Sequence, residues 1–310
     1  MKLPEELQFM QNGFLPQKTS KARLDGKVCV ISGTTSGVGY EAAKQLAAGG
    51  AHLVMICRNE EKALKVKNEL ENTFNARVDF FIADYKILSE VRRAGEDISK
   101  QYPKIHALIN NAGVFNKSRH LTPDGNEEVF GVIHLASFLL TSLLIPNLKD
   151  GAPSRIIDIS SEAHRFGGLN IKDLNWKKRP YVGLWAYGAA KIAQILTMQK
   201  MALQLNGSGV TVNAMHPGAV RTNIGMNNNI FYRFYSRYIL YWFLKEPKTS
   251  GESIYYLTAA PEMEAVTGKF FNQTIEEKPA WYTVRPNLKQ KVWEMSENLI
   301  QSIYEGDEDV

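Results

Sequence analysis

Residues 185–191 read WAYGAAK, which sets Tyr187 and Lys191 four positions apart. On a helix, positions i and i+4 share a face, so the phenol and the ammonium can approach one point. Two readings stand at this level: an incidental pair on a helical surface, or an acid whose proton affinity a neighbouring cation lowers. A free tyrosine titrates near about 10, too high to serve as a base at neutrality without such help. A second stretch of chemical interest, VCVISGTTSGVGYEAAKQLAAGG, reads as a strand, a turn holding Gly33, Gly37 and Gly39, and a helix. Glycines allow a sharp turn and close approach to a ligand, while a helix amino terminus offers unpaired N–H groups to a pyrophosphate. The spacing G-x-x-x-G-x-G departs from the G-x-G-x-x-G dinucleotide fingerprint.

Those residues need a scaffold, and the chain describes one. Short apolar runs (KVCVIS, AHLVMI, RVDFFIA, IHALIN, SRIIDIS, VTVNAM and GKFFN) alternate with amphipathic stretches such as EEKALKVKNELENTF. Most of the runs are continuously apolar, as strands covered on both faces should be. The rhythm predicts an α/β domain, a parallel sheet between helices with right-handed crossovers. No internal repeat or linker interrupts it. Residues 1–24 read as a tail, 25–278 as the domain and 279–310 as a partly helical extension.

Composition narrows the class. The 310 residues are 44% hydrophobic and 22% charged, ample for one core, and the net charge of +5 comes from 37 basic and 32 acidic residues that are scattered. The short KKR run at 177–179 fits a solvated loop better than a nucleic-acid patch, so no nucleic-acid partner is expected. Cys29 and Cys57 lie in apolar runs and read as buried small hydrophobes, with neither a disulfide nor a metal site expected. The charged amino terminus lacks an apolar core, and no window reaches the roughly 18 apolar residues of a spanning helix. The expectation is a cytoplasmic protein without a transmembrane segment.

Taken together, the motifs resemble the short-chain dehydrogenase/reductase family. SGTTSGVG resembles its cofactor turn, NNAG at 110–113 the signature after the fourth strand, DISS the end of the fifth strand with its catalytic serine at Ser161, YGAAK the catalytic Tyr-x-x-x-Lys, and HPGAVRT the loop closing over the nicotinamide. They occur in family order across about residues 25–275. ICRNEEKA, TPDGNEEVFGV, HLASFLLT and the long gap between Ser161 and Tyr187 look most like the retinol-dehydrogenase and WW-domain-oxidoreductase branch. The resemblance implies a single-domain Rossmann-type doubly wound sheet of about seven strands. It also implies a nicotinamide-dependent oxidoreductase acting on a lipophilic carbonyl or alcohol.

On that resemblance the catalytic residues are Ser161, Tyr187 and Lys191. Tyr187 is the acid/base, Lys191 tunes it and holds the nicotinamide ribose, and Ser161 stabilises charge on the substrate oxygen. The cofactor would meet Gly33, Thr35, Ser36, Gly37, Val38, Gly39, Arg58, Asp84, Tyr85, Asn110, Ala112, Gly113, Tyr187, Lys191, Pro217, Gly218, Val220 and Thr222. Asp84 also reads as a helix N-cap, and Asn110 or Asn111 as a pin between strands. Where the second strand would end in the carboxylate that binds an NAD ribose, this chain has Cys57 followed by Arg58, which favours NADP. One position departs from the family: Ile133 stands where an asparagine helps hold a water beside the lysine, and isoleucine neither donates nor accepts. An NADP-binding sensor or scaffold with weak turnover is therefore the competing function, and carbon–carbon double-bond reduction a third.

The segment 223–247 is dense in aromatic residues and broken by Arg233 and Arg237. It reads as a lid over a hydrophobic small-molecule substrate, an interfacial helix making peripheral membrane contact, or packing against the carboxy-terminal extension. The helices around 126–146 and Tyr187 are apolar enough to support a homo-oligomer.

Overall fold

The computed structural model describes residues 9–12, 15–218 and 247–305. Val220, Thr222 and the aromatic segment through residue 246 lie outside the described residues. The strands are β1 Val28–Ser32, β2 His52–Cys57, β3 Val78–Ile82, β4 Ala107–Asn110, β5 Ser154–Ile159, β6 Val210–His216, β7 Phe270–Asn272 and β8 Ile275–Glu277. They form one sheet in the order β3-β2-β1-β4-β5-β6-β7-β8. Every pairing is parallel except β7 with β8.

Period-two alternation explains the unbroken apolar runs. Val30, Val54, Ile56 and Leu108 point into one core, while Cys29, Ile31, Leu53, Met55, Ala107 and Ile109 point into the other. The inner strands thus need apolar residues at nearly every position. The first core is closed by α4 (Leu88–Gln101), α5 (Glu128–Phe130), α6 (Ala136–Asp150), α7 (Gly183–Gln204) and α9 (Pro286–Glu305). The second is closed by α2 (Gly37–Ala48), α3 (Glu60–Phe74) and α8 (Pro247–Ala259). A further short turn, α1, covers Phe9–Asn12.

Three expectations need correction. The sheet has eight strands, because β8 (Ile-Glu-Glu) is too short and too charged to read as one. The stretch read as a tail is tied to that hairpin: Lys18 N donates to Thr274 Oγ1 at 2.8 Å, Thr274 N to Gln17 Oε1 at 3.0 Å, and Asn12 Nδ2 to Glu277 Oε2 at 2.8 Å. One helical run does have the length and apolarity to cross a membrane. Residues Glu128–Asp150 form 23 residues with a window of mean hydropathy 2.0, most of it buried against the rest of the protein.

That run is not uniform. Gly131–Leu135, which contains Ile133, is a π turn between α5 and α6. Its start is fixed by fully buried Glu127, whose carboxylate accepts from Val129 N and Phe130 N. The carboxy-terminal extension is part of the fold: Val292 and Trp293 enter the core, with Trp293 edge-on to Phe138 at 5.0 Å.

Candidate active site

The carboxyl ends of β1, β4 and β5 lie together where the strand order turns back between β1 and β4, the crevice in which open α/β sheets bind ligands. The glycine turn opens it. Gly33 leaves β1 with φ +72° and Gly37 has φ +61°, both left-handed values that glycine adopts without strain. A Cβ on Gly39 would stand 2.2 Å from Gly33 O and 2.3 Å from Asn111 Nδ2, so α2 can press onto the turn only with glycine there. Ser36, the residue before α2, is extended and its side chain makes no capping bond, which leaves the first-turn N–H groups to an anion. Thr35 is half-buried beside it. Val38 sends its side chain into the core, so only its backbone serves the turn.

Arg58 directly follows β2, exposed and with no ionic partner among the described residues, while Cys57 is buried with its Sγ 3.1 Å from Thr34 Oγ1. A guanidinium not engaged in an ion pair among the described residues suits a phosphate monoester. Asp84 closes a local turn by accepting from Lys86 N at 3.0 Å. It is not the N-cap of α4; that helix receives a carboxylate from Asp124, which accepts from Leu88 N at 2.9 Å. Tyr85 is buried, and burial holds its phenol above the ordinary tyrosine value.

The NNAG segment divides its labour. Asn111 pins β1, donating to Ser32 O at 2.8 Å and Gly33 O at 3.0 Å. Asn110, expected at the cofactor edge, turns its side chain the other way, donating to Thr141 Oγ1 at 2.9 Å and Asp158 Oδ1 at 2.8 Å. Ala112 N bonds Ser32 Oγ at 2.9 Å. Gly113 packs on Ile133: a Cβ there would lie 3.6 Å from its Cγ1. Ile133 is wholly buried. Pro217 O accepts from Ser250 Oγ, and Gly218 follows with φ +90°.

Ser161 is set by a 3-10 turn, Glu162–Phe166, whose first N–H group it caps by accepting from Ala163 N at 3.1 Å. That turn meets α7 at bare backbone, since a Cβ on Gly188 would stand 2.5 Å from Ala163 O. The close approach brings Tyr187, one residue earlier, to Ser161. Burial pushes the Tyr187 phenol up to about 12, and the Ser161 hydroxyl beside it works the other way. Phe115 stacks edge-on to the Tyr187 ring at 5.8 Å.

Lys191 lies one helical turn on, with Nζ 5.7 Å from the Tyr187 ring centroid. It donates to Ile159 O at 2.5 Å and to Gln194 Oε1 at 3.2 Å. Burial drags it down to about 7, against the pull of Asp158. Burial, the leading influence on both groups, favours the neutral phenol and the neutral amine.

Sequence comparison decides what this arrangement is. The sequence profile of the short chain dehydrogenase family matches residues 27–232. This chain belongs to that family. Among relatives of this short-chain dehydrogenase, retinol dehydrogenase 13 of Mus musculus is 36% identical over 286 residues, covering 91% of this chain and 86% of its own length. The WW domain-containing oxidoreductase of Danio rerio is 31% identical over 290 residues, covering 90% of this chain and 69% of its own. The fold is shared with a solved protein of Mycobacterium paratuberculosis at TM-score 0.75 and 26% identity, covering 92% of this chain and 98% of that one. The retinol-dehydrogenase branch and the doubly wound sheet are thereby established, as is a nicotinamide-dependent oxidoreductase class.

Sequence reading missed four residues of this short-chain dehydrogenase. Ser32 holds the NNAG backbone, Thr34 fills the turn, and Asp158 and Gln194 surround Lys191. Only Asp158 carried a signal, as a carboxylate inside an otherwise apolar strand.

Proposed function

We propose that this short-chain dehydrogenase transfers hydride between NADP(H) and a lipophilic carbonyl or alcohol, with Tyr187 as the acid/base. The observation that carries the reading is the meeting of the Tyr187 phenol with the Ser161 hydroxyl, with Lys191 one turn on, at the crevice that the glycine turn opens. The nicotinamide, when bound, supplies or accepts the hydride. Tyr187, protonated at neutrality, gives a proton to the oxygen that becomes an alkoxide, and takes it back in the reverse direction. Ser161 donates to the same oxygen as charge develops. The open N–H groups of α2 and the bare turn suit the pyrophosphate, and Arg58 the 2′-phosphate that distinguishes NADP. The substrate class rests on the names of the relatives and on the aromatic content of residues 223–246.

NADPH oxidation and NADP+ reduction against a panel of aldehydes, ketones and retinoids test the reading. The Tyr187→Phe variant should lose at least about 100-fold in kcat while its affinity for NADPH changes less than twofold. Buried Ile133 favours a second reading, an NADP-binding protein with little turnover. Tight NADPH binding with no consumption on any substrate would select it, and product analysis separates carbonyl from double-bond reduction.

A further inference from the structure

A buried ammonium with two neutral acceptors needs an anion or water to remain charged. The structure supplies an anion on the strand beside it, Asp158, and next to that a cavity lined by polar groups. Asp158 precedes Ile159, whose carbonyl Lys191 already holds. Its carboxyl is nearly buried and accepts from Asn110 Nδ2 at 2.8 Å. Asn110 spends its other N–H on Thr141 Oγ1, whose own hydrogen goes to Ser137 O at 2.7 Å. That chain of donors fixes the amide so that Asp158 is offered a hydrogen and need not supply one, the pattern of a carboxylate.

Behind the carboxyl is a small cavity of about 10 Å³, roughly room for one water. Asp158, Gln194, Thr197 and His134 line it, together with two buried atoms that lack protein partners, Asn110 Oδ1 and Ser137 Oγ. Gln194 is shared, since its Oε1 receives Lys191 and its side chain forms the cavity wall. Lys191 and Asp158 make no direct ion pair, yet each feels the other's charge.

We propose that Asp158 is a positioning residue of the acid/base site, which holds Lys191 charged and in place from β5 across the Gln194 amide and one water in this cavity. The consequence for turnover rests on the proposed hydride transfer; the state of the lysine does not. The titratable groups facing the pair are Tyr187 on α7 and His134 on the π turn. The His134 Nε2 pairs with Ser296 Oγ, and burial lowers the ring to about 3, so it stays neutral. β4, α6 and the next turn of α7 present only neutral Asn110, Ser137, Thr141 and Thr197. Burial lifts Asp158 to about 6, while Asn110 and Lys191 oppose the rise.

The test is a side-chain NMR titration of Lys191 in the full-length, cofactor-free protein, with the signal assigned by its loss in Lys191→Arg. In Asp158→Asn, which keeps the shape and the Asn110 bond, the Lys191 midpoint should fall by about one pH unit. An unchanged midpoint overturns the proposal. Should that variant not fold, the wild-type protein decides: the Asp158 carboxyl and the Lys191 ammonium must each show an inflection at the other's midpoint. Two independent single titrations overturn it. With a substrate in hand, the alkaline limb of kcat/KM in Asp158→Asn should move down by the same interval with its plateau kept. An equal loss at every pH would mark Asp158 as merely structural. A wild-type protein that turns over nothing defeats the proposed function and leaves the titration result intact.

Discussion

At the residue scale the site is governed by burial more than by pairing. Tyr187 goes up and Lys191 comes down for the same reason, loss of water around a charge. Arg58 is the opposite case, an exposed cation whose value lies in what it meets. Replacing it with alanine should weaken NADPH binding by about 10- to 100-fold, the worth of a charged hydrogen-bonding contact, with NADH little affected. Equal weakening of both cofactors, read by fluorescence titration, would remove Arg58 from the 2′-phosphate.

At the scale of elements, two bare-backbone contacts set the geometry, Gly39 on Gly33 and Gly188 on Ala163. Gly39→Ala should cost about 1–3 kcal/mol by overpacking and abolish NADPH binding, measured by thermal melting with and without cofactor. A melt shifted by NADPH as in the parent would show that the turn had adapted. The 3-10 turn after Ser161 carries a second constraint. Arg165 joins Glu162 at 2.5 Å to Glu277 of β8 at 2.9 Å. Burial, and then the nearby Glu277 carboxyl, push Glu162 well above the ordinary carboxyl value, with Arg165 opposing the rise. A carboxyl held above its unfolded value costs nothing while both states are protonated. As pH climbs above about 4.5 the unfolded chain ionises first, so stability falls until the folded carboxyl ionises too. Glu162→Gln should therefore melt at least about 2 °C above the parent at pH 8.5 and no higher at pH 5. Parallel melting curves for the two proteins at every pH would contradict this.

At the scale of the whole molecule, the described segments on either side of the central domain belong to the fold. Gln17 and Lys18 bind the β7–β8 turn and Asn12 binds Glu277, while α9 buries Val292 and Trp293. Removing residues 1–17 takes away three hydrogen bonds at the sheet edge, Asn12 Nδ2 to Glu277 and Thr274 N and Oγ1 to Gln17 Oε1, each worth about 1 kcal/mol. The truncated protein should melt several degrees lower, about 2–4 °C for each kcal/mol, and still bind NADPH, since the glycine turn sits at the far side of the sheet. An unchanged melting temperature would mean that the docked segment contributes nothing.

Much of this was legible in the residues. Continuous apolar runs determine a sheet covered on both faces, and the glycine turn, NNAG, Ser161 and Tyr187-x-x-x-Lys191 fix what is brought to its edge, because period and backbone freedom are local properties. The direction in which Asn110 points is not local. Neither are the value of a carboxylate inside β5, the docking of Gln17 and Lys18 on the β7–β8 turn, and the proton affinity of Tyr187 and Lys191. Those depend on which neighbours exclude water and which donors are left to share, and only the packed tertiary structure decides that.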